Sequence, residues 1–515
     1  MVEPFKNCPL TDFSDVKNRE AMVQAISKVK SELGKEYPIV IGGEAISADQ
    51  TFTSINPAAP DEVVGTFAKG TKELALKAIE TADNVFQEWR LVPPEHRARY
   101  ILKAAKIMRR RRHELSAWMM FETSKSWGEA DADTAEAIDF LEFYGREMLR
   151  WNSPQEIVPY PGEDNELKYI PLGVGAVIPP WNFPCAILTG MTAASIVTGN
   201  VVVLKPASTA PAIAYQVFTI FRDAGLPDGV LNFLPGPGGA IGDAITTHPR
   251  TRFIAFTGSM EIGLRINELA AKLSPGQIWI KRTILEMGGK DFILVDNNTD
   301  LDYAAEQITI SAYGFQGQKC SACSRTIIHR DVYDSLAAKL AERANKLTLG
   351  RPEQFGVYMG AVIDETAYNK IMQYIEIGKK EGKLLAGGER FGTKGYFIKP
   401  TVFGDIKPQD RLAQEEIFGP VNALIKVSSF EEGVEVADGT VYGLTGAFFS
   451  SSRKHIEIAR ERLHCGNLYI NRKCTGALVG VQPFGGFNMS GTDSKAGGRD
   501  YLGLFMQGKS ITERW

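Results

Sequence analysis

Hydrophobic and polar positions along this chain follow two rhythms, and one stretch breaks both. Between Ile170 and Leu204 there is no charged side chain, which is longer than a bilayer crossing requires. A membrane span is excluded by the interruptions. Pro179, Pro180 and Pro184 fall within six residues, and Asn182, Gly190, Gly199 and Asn200 punctuate the rest, so no continuous helix can run through. The same pattern predicts a strand "VGAVI", a proline-rich loop, an apolar helix "AILTGMTAASIVTG" and a strand "NVVVLKP". That is a buried β-α-β unit. A second unit follows: "YQVFTIFRDAGLPDGVLNFLPG" gives a helix ending at Gly225 and a strand, and "RFIAFTGSMEIGLRINELAAKL" gives a strand, a glycine turn and a helix.

Strands alternating with helices at this spacing specify a parallel α/β sheet covered on both faces. The first 150 residues are expected to be mainly helical, as in Lys72 to Trp89, where Ala75, Ile79, Ala82 and Phe86 share one stripe. After Glu286 the rhythm restarts with "DFILV", a helix near Leu301 to Gly317, "SRTIIHR", a helix at Val332 to Leu349, and "VNALIKV". In between, "WNSPQEIVPYPGEDNELKYI" reads as a hairpin projecting from the body to dock on another subunit. The C-terminal "YLGLFMQGKSITERW" carries Leu502, Leu504 and Phe505, which need cover.

Composition narrows the class. A chain of 515 residues suggests two or three domains, and 44% hydrophobic with 23% charged residues is ordinary globular composition. A net charge of −3 with mixed signs offers no field for nucleic acid, and the run Arg109, Arg110, Arg111, Arg112, His113 reads as a solvated helix face. The N-terminus lacks the plan of a signal peptide, and six scattered cysteines form no disulfide framework, so a reducing cytoplasm is the expected location.

Candidate chemistry centres on "AYGFQGQKCSACSR", where Cys320 and Cys323 stand at C-x-x-C spacing. Zinc would need two more ligands, and neither Cys465 with His464 nor Cys474 has finger-type pairing; no metal is expected. "FTGSMEIG" places Gly258 and Ser259 between a strand and a helix, where free N–H groups favour a phosphate. Alone, such a glycine is an ordinary turn.

Six stretches in one order change the weighing: "PWNFP", "FTGS", "LEMGGK", "GQKCSA", "EEIFGP" and "PFGG". Together they resemble the NAD(P)-dependent aldehyde dehydrogenase superfamily across nearly the whole chain. "DADTAEAIDFLEFY", "YGFQGQKCSA" and "TGALVGVQPFGGFNMSGTDSKAGG" are similar to its 1-pyrroline-5-carboxylate dehydrogenases, which oxidise glutamate semialdehyde to glutamate. The resemblance implies an α/β fold with a Rossmann-type cofactor domain, an α/β catalytic domain and a small β oligomerisation element. Their expected limits are 1–152 with 171–285, 286–487, and 153–170 with 488–515.

It further implies roles. Cys320 is the nucleophile, with Lys319 beside it favouring the thiolate, and Cys323 is packing. Asn182 and the Cys320 N–H hold the oxyanion, and Glu286 activates the hydrolytic water. NAD is the expected cofactor, bound by Lys205, Gly258, Ser259, Glu416 and Phe418. Ser208 stands where many NAD-preferring relatives carry an acid, so NADP is expected to be tolerated. Ser321 and the N–H groups of Gly476 and Ala477 anchor the substrate carboxylate, and Glu136, Phe183 and Phe487 line the aliphatic part of a tunnel. A small-molecule substrate, no nucleic acid, no membrane and a homodimer or larger assembly are the expected partners. Two other readings stay open: a dehydrogenase for another short semialdehyde, and a catalytically silent member of the same fold.

Overall fold

The computed structural model describes residues 3–515 and builds them around two seven-stranded sheets. In the first, Arg282–Glu286, Thr251–Thr257, Val174–Ile178, Val201–Leu204 and Leu231–Phe233 lie side by side in that order, all parallel. A hairpin, Ile39–Ile41 with Glu44–Ile46, extends it antiparallel. Val201–Leu204 is wholly buried, as a continuous aliphatic run should be in a sheet covered on both faces. The charge-free helix Ala186–Val197 packs between this sheet and the long helix Trp127–Trp151, so no side of it meets water.

That long helix also explains its own acidic pattern. Asp131 accepts from Arg112 and from Thr11, Asp133 from the Ala186 N–H, and Asp139 from Asn7 and the Cys8 N–H. Asp131 and Asp139 thus fasten the N-terminal segment to this helix at two points, and Asp133 fastens the start of the helix Ala186–Val197 to it.

The second sheet runs in the order Lys383–Ala386, Thr401–Gly404, Val421–Val427, Arg325–His329, Phe292–Val295, Thr445–Phe449, Asn467–Ile470, with Lys383–Ala386 alone antiparallel. At its centre the fully buried guanidinium of Arg325 donates to the carbonyls of Lys290, Val436 and Ala437.

Strand order fixes where a ligand can enter. In the first sheet the chain steps outward from Val174–Ile178, then returns to its other side at Thr251–Thr257, and the loops beyond such a reversal diverge. These loops hold Asn182, Gly258 and Ser259. Cys320 and Glu416 instead lie just before second-sheet strands Arg325–His329 and Val421–Val427. The carboxyl ends of one sheet therefore face the amino ends of the other.

Several expectations need correction. Residues 35–68 form five strands rather than helices, because their short β-branched runs lack a helical stripe. Segment 151–170 is no hairpin. Its strand Glu163–Pro171 pairs antiparallel with the C-terminal strand Met506–Arg514, so the two halves of the ribbon come from distant parts of the chain. Leu502 and Phe505 need no partner, since both are fully buried in this chain's own core. The basic run breaks at Arg111 between the helices Pro94–Arg110 and Arg112–Thr123. Arg111 donates to Gln216, Thr219 and Glu114, and Arg112 to Asp131, so half of that run ties helices together instead of facing solvent. Among the described residues, no helix is long and apolar enough to cross a membrane.

Candidate active site

Two cavities meet at the nucleophile candidate. The larger, about 560 Å³, is lined by Asn182, Lys205, Gly258, Ser259, Glu416, Phe418 and Cys320 among others. The smaller, about 110 Å³, is lined by Glu136, Phe183, Ser321, Gly476, Ala477, Glu286 and Cys320. Cys320 thus stands where a cofactor-sized space opens onto a narrow tunnel.

In the larger cavity, Ser259 caps the helix Met260–Ala271 by accepting from the Ile262 N–H, which leaves the helix N-terminus facing the space. Lys205 is buried; loss of water pulls its ammonium down to about 8, and its one hydrogen bond is to the Pro206 carbonyl. Glu416 accepts from the Gly289 N–H at 3.0 Å, and burial raises its carboxyl. Gly288 lies close beside it: a Cβ there would fall 2.5 Å from that carboxylate and force it to move. Phe418 holds a left-handed φ of 60° and meets the edge of Trp181 at 5.5 Å.

Ser208 does not join this lining. Its hydroxyl donates to the Gly236 carbonyl at 3.1 Å, and Ala207 faces the space instead. Phe487 likewise lies outside the tunnel. It is held in the short strand Phe487–Asn488 against Tyr442–Gly443 and packs on His464 at 5.0 Å, while Phe484 occupies the expected place.

The electrostatics are those of a dry site. Burial lifts the Cys320 thiol well above its ordinary range, and the charges of Asp291, Glu286 and Glu416 lift it further; the Ser321 N–H pulls the other way. Lys319 does not offset this, since its ammonium is taken by Glu129 at 2.7 Å. Burial raises Glu286 to about 8, against the Ser494 hydroxyl that donates to its Oε1 at 2.6 Å. Its Oε2 has no hydrogen-bond partner. Burial and Asp133 raise Glu136 to about 8. Asn182 is buried and donates from Nδ2 to the Gln318 carbonyl at 3.1 Å.

Cys323 is a different kind of cysteine. It is buried in the second sheet's core, with Sγ 3.4 Å from the Arg325 carbonyl. Among the described residues, no group of three or more His, Cys, Asp or Glu stands together as a metal site.

Sequence reasoning passed over several lining residues. Trp181 and Phe484 sit inside the quoted "PWNFP" and "PFGG" stretches and were within reach. Tyr144 and Ser494 likewise lie inside the quoted "DADTAEAIDFLEFY" and "TGALVGVQPFGGFNMSGTDSKAGG" stretches, whereas Lys370, Met191 and Tyr501 carry no local signal, and only tertiary packing brings them in; Ser494 meets Glu286 across 208 residues.

A Rossmann-like crevice opening onto a thiol, with a buried carboxyl behind it, defines a thiol-dependent oxidoreductase of aldehydes. Comparison agrees: the aldehyde dehydrogenase family model matches residues 45–511, and the chain belongs to that family. It is 57% identical, over the full length of both chains, to a 1-pyrroline-5-carboxylate dehydrogenase of Geobacillus kaustophilus. A 1-pyrroline-5-carboxylate dehydrogenase from Thermus with bound NAD superposes with a TM-score of 0.98 at 52% identity, covering all of both chains. The betaine aldehyde dehydrogenase of Staphylococcus aureus in complex with NAD+ gives 0.89 at 28% identity over 96% of this chain and 97% of that one.

One outcome follows from the thiol's surroundings. Because a raised thiol pKa keeps the thiolate scarce at neutral pH, alkylation of Cys320 by iodoacetamide in the free enzyme should be slow at neutral pH and still accelerating above pH 9. A rate that levels off near pH 7 in a stopped-time mass-spectrometric assay would show that the site activates the thiol without help.

Proposed function

We propose that this chain oxidises L-glutamate 5-semialdehyde, in equilibrium with 1-pyrroline-5-carboxylate, to L-glutamate with NAD, serving proline or arginine breakdown. The observation that carries this is the placement of Cys320 where a cofactor-sized cavity meets a narrow tunnel whose wall includes Ser321, Gly476 and Ala477.

The residues fit the cofactor. Lys205, a buried ammonium with no carboxylate of its own, suits the adenosine ribose; Gly258 and Ser259, at a helix N-terminus, suit the pyrophosphate; Glu416 and Phe418 suit the nicotinamide ribose. With Ser208 uncharged and turned away, position 208 sets no negative charge against a 2′-phosphate, so NADP is tolerated. The chemistry supplied by bound NAD is acceptance of a hydride.

This chain's residues do the rest. Cys320 gives up its thiol proton to water, its Sγ adds as the thiolate to the aldehyde carbon, and the charge that moves onto the oxygen is held by the Asn182 carboxamide and the Cys320 N–H. Once hydride has left that carbon, a thioester remains on Cys320. Glu286 Oε2, free of partners at the tunnel wall, takes a proton from water, which attacks the thioester and releases the thiol and the acid. Ser321 and the N–H groups of Gly476 and Ala477 hold the α-carboxylate, and Glu136 and Phe183 flank the aliphatic part.

Assembly fits the same reading. We assign 1–152 and 171–285 to the cofactor domain, 286–487 to the catalytic domain, and 153–170 with 488–515 to oligomerisation. A two-stranded ribbon is marginal alone, and this one is flanked by Val158, Tyr160 and Trp515 at 88, 66 and 78% exposure. A second copy covers it. Six free thiols suit a reducing cytoplasm.

Three outcomes test this. In assays of NADH production, glutamate semialdehyde should exceed butanal in kcat/KM by on the order of 2 to 4 kcal/mol, because the donors left without an anion forfeit charge-assisted bonds; parity would leave a general aldehyde dehydrogenase. Glu286→Gln should release one burst of NADH and stall, while wild-type deacylation should quicken as pH rises toward about 8, since a carboxyl raised to that value is protonated below it and a base only above it. Steady turnover by that variant removes Glu286 from the role. Sedimentation at micromolar concentration should show a dimer or larger species, and a monodisperse monomer refutes the assembly.

A further inference from the structure

We propose that the buried Lys125 is a positioning residue for this chemistry: its ammonium, held between the rings of Phe183 and Phe315, locks the loop carrying Asn182 to the loop carrying Cys320. The inference rests on the reading that those two residues act on one carbonyl.

Lys125 lies in the short connection between the helices Arg112–Thr123 and Trp127–Trp151. Its side chain has no exposure. Nζ stands 3.7 Å from the centroid of Phe315 and 4.3 Å from that of Phe183. The carboxylate of Asp133 is 3.5 Å away, and neither Nζ nor Asp133 Oδ2 makes a hydrogen bond. A buried ammonium without hydrogen bonds is costly where a methionine would fit, so packing alone gives no reason for the charge. The two ring faces do, because a cation is attracted to both at once and more strongly away from water.

What the rings belong to gives the contact its meaning. Phe183 follows Asn182 directly and lines the tunnel. Phe315 opens the turn that leads to Cys320, and it and Gln316 hold φ of 49° and 57°. Left-handed backbone at a bulky residue persists only where its surroundings impose it. Here Gln316 Nε2 donates to the Ser124 carbonyl at 3.0 Å and to the Ala361 carbonyl at 2.8 Å, and Lys125, next to Ser124, caps the Phe315 ring. The same lysine's partner, Asp133, accepts from the Ala186 N–H at 2.7 Å, which fixes the far end of the Asn182 loop.

The two loops are also linked directly, by Asn182 Nδ2 to the Gln318 carbonyl. That carboxamide is the group that must turn to an oxyanion. When it does, the direct link loosens, and the Lys125 sandwich is what keeps Asn182 and Cys320 in register.

Lys125→Met keeps the length of the side chain and removes the charge. In the full-length enzyme, the single-turnover NADH burst should slow by roughly 100-fold, the scale of a misplacement of about 1 Å, while KM for the semialdehyde and Kd for NAD change by less than about threefold. Phe315→Leu, which leaves the Lys125–Asp133 pair, should slow the burst in the same direction, and the double variant should be no more than about twofold slower than the slower single one. A burst at the wild-type rate in Lys125→Met overturns the proposal, as does a loss matched by NAD affinity or losses that simply multiply. Should Lys125→Met not fold, Phe315→Leu decides alone, and an unchanged burst overturns it. A wild-type enzyme that forms no NADH with any semialdehyde defeats the proposed activity itself; a wild-type single-turnover rate that Lys125→Met retains defeats only the clamp.

Discussion

Everything at the site depends on how the chain crosses from one sheet to the other. Glu286 ends the edge strand of the first sheet and Phe292 begins the centre of the second, so residues 287–291 must make the passage with almost no room. A Cβ on Gly288 would strike the Glu416 carboxylate, and one on Gly289 would strike the Cys320 carbonyl. The crossing therefore draws the general-base candidate, the nucleophile loop and Glu416 to one point. It sits at the carboxyl end of one sheet and the amino ends of the other, where Met287 and Gly288 line the larger cavity. Substituting either glycine would push apart the groups whose proximity the reaction needs.

The cost of such a junction is buried charge. Asp291 follows the crossing directly, is buried, and accepts from the Thr445 N–H; Lys290 is pulled down to about 7 by burial and by Arg325. Arg325 spends its donors on three carbonyls around them. These groups hold the crossing from behind, so the front face can be left to Cys320 and Glu286. A polar cluster of this kind is costly wherever a member is left unsatisfied, and here Lys290 Nζ and Asp291 Oδ2 have no hydrogen-bond partner, so the junction is held at the expense of two unpaired buried groups.

Local pattern made much of this readable. The charge-free run 170–204 could only be a buried β-α-β unit, and Lys72–Trp89 matches its helix to the residue. Cys320, Glu286, Asn182, Gly258 and Glu416, singled out by the motifs, all line the two meeting cavities. What failed was whatever depends on distant partners. The ribbon of Glu163–Pro171 takes its second strand from the C-terminus, which no local pattern reveals. Phe487 and Phe484 are equally aromatic, and only the register against Tyr442–Gly443 decides which one turns to the tunnel. Lys319 looked like an activator by adjacency, but Glu129, on a helix 190 residues away in sequence, had claimed it.

That last correction bears on the order of chemical events. With no free cation beside it, the thiol is raised by burial and by the charge of neighbouring carboxylates, Glu286 among them. Glu286 is itself raised by burial. Two groups so placed oppose each other's ionisation, since a thiolate and a carboxylate in one dry space repel. The site thus favours having one charged at a time. On the proposed mechanism, a neutral Glu286 would ease formation of the Cys320 thiolate, the thiol proton passing to water, and once Cys320 is held in a thioester that opposing charge would be gone and Glu286 free to ionise. Burial, which looks at first like an obstacle to both groups, would on that mechanism separate the acylating half of the reaction from the hydrolytic half.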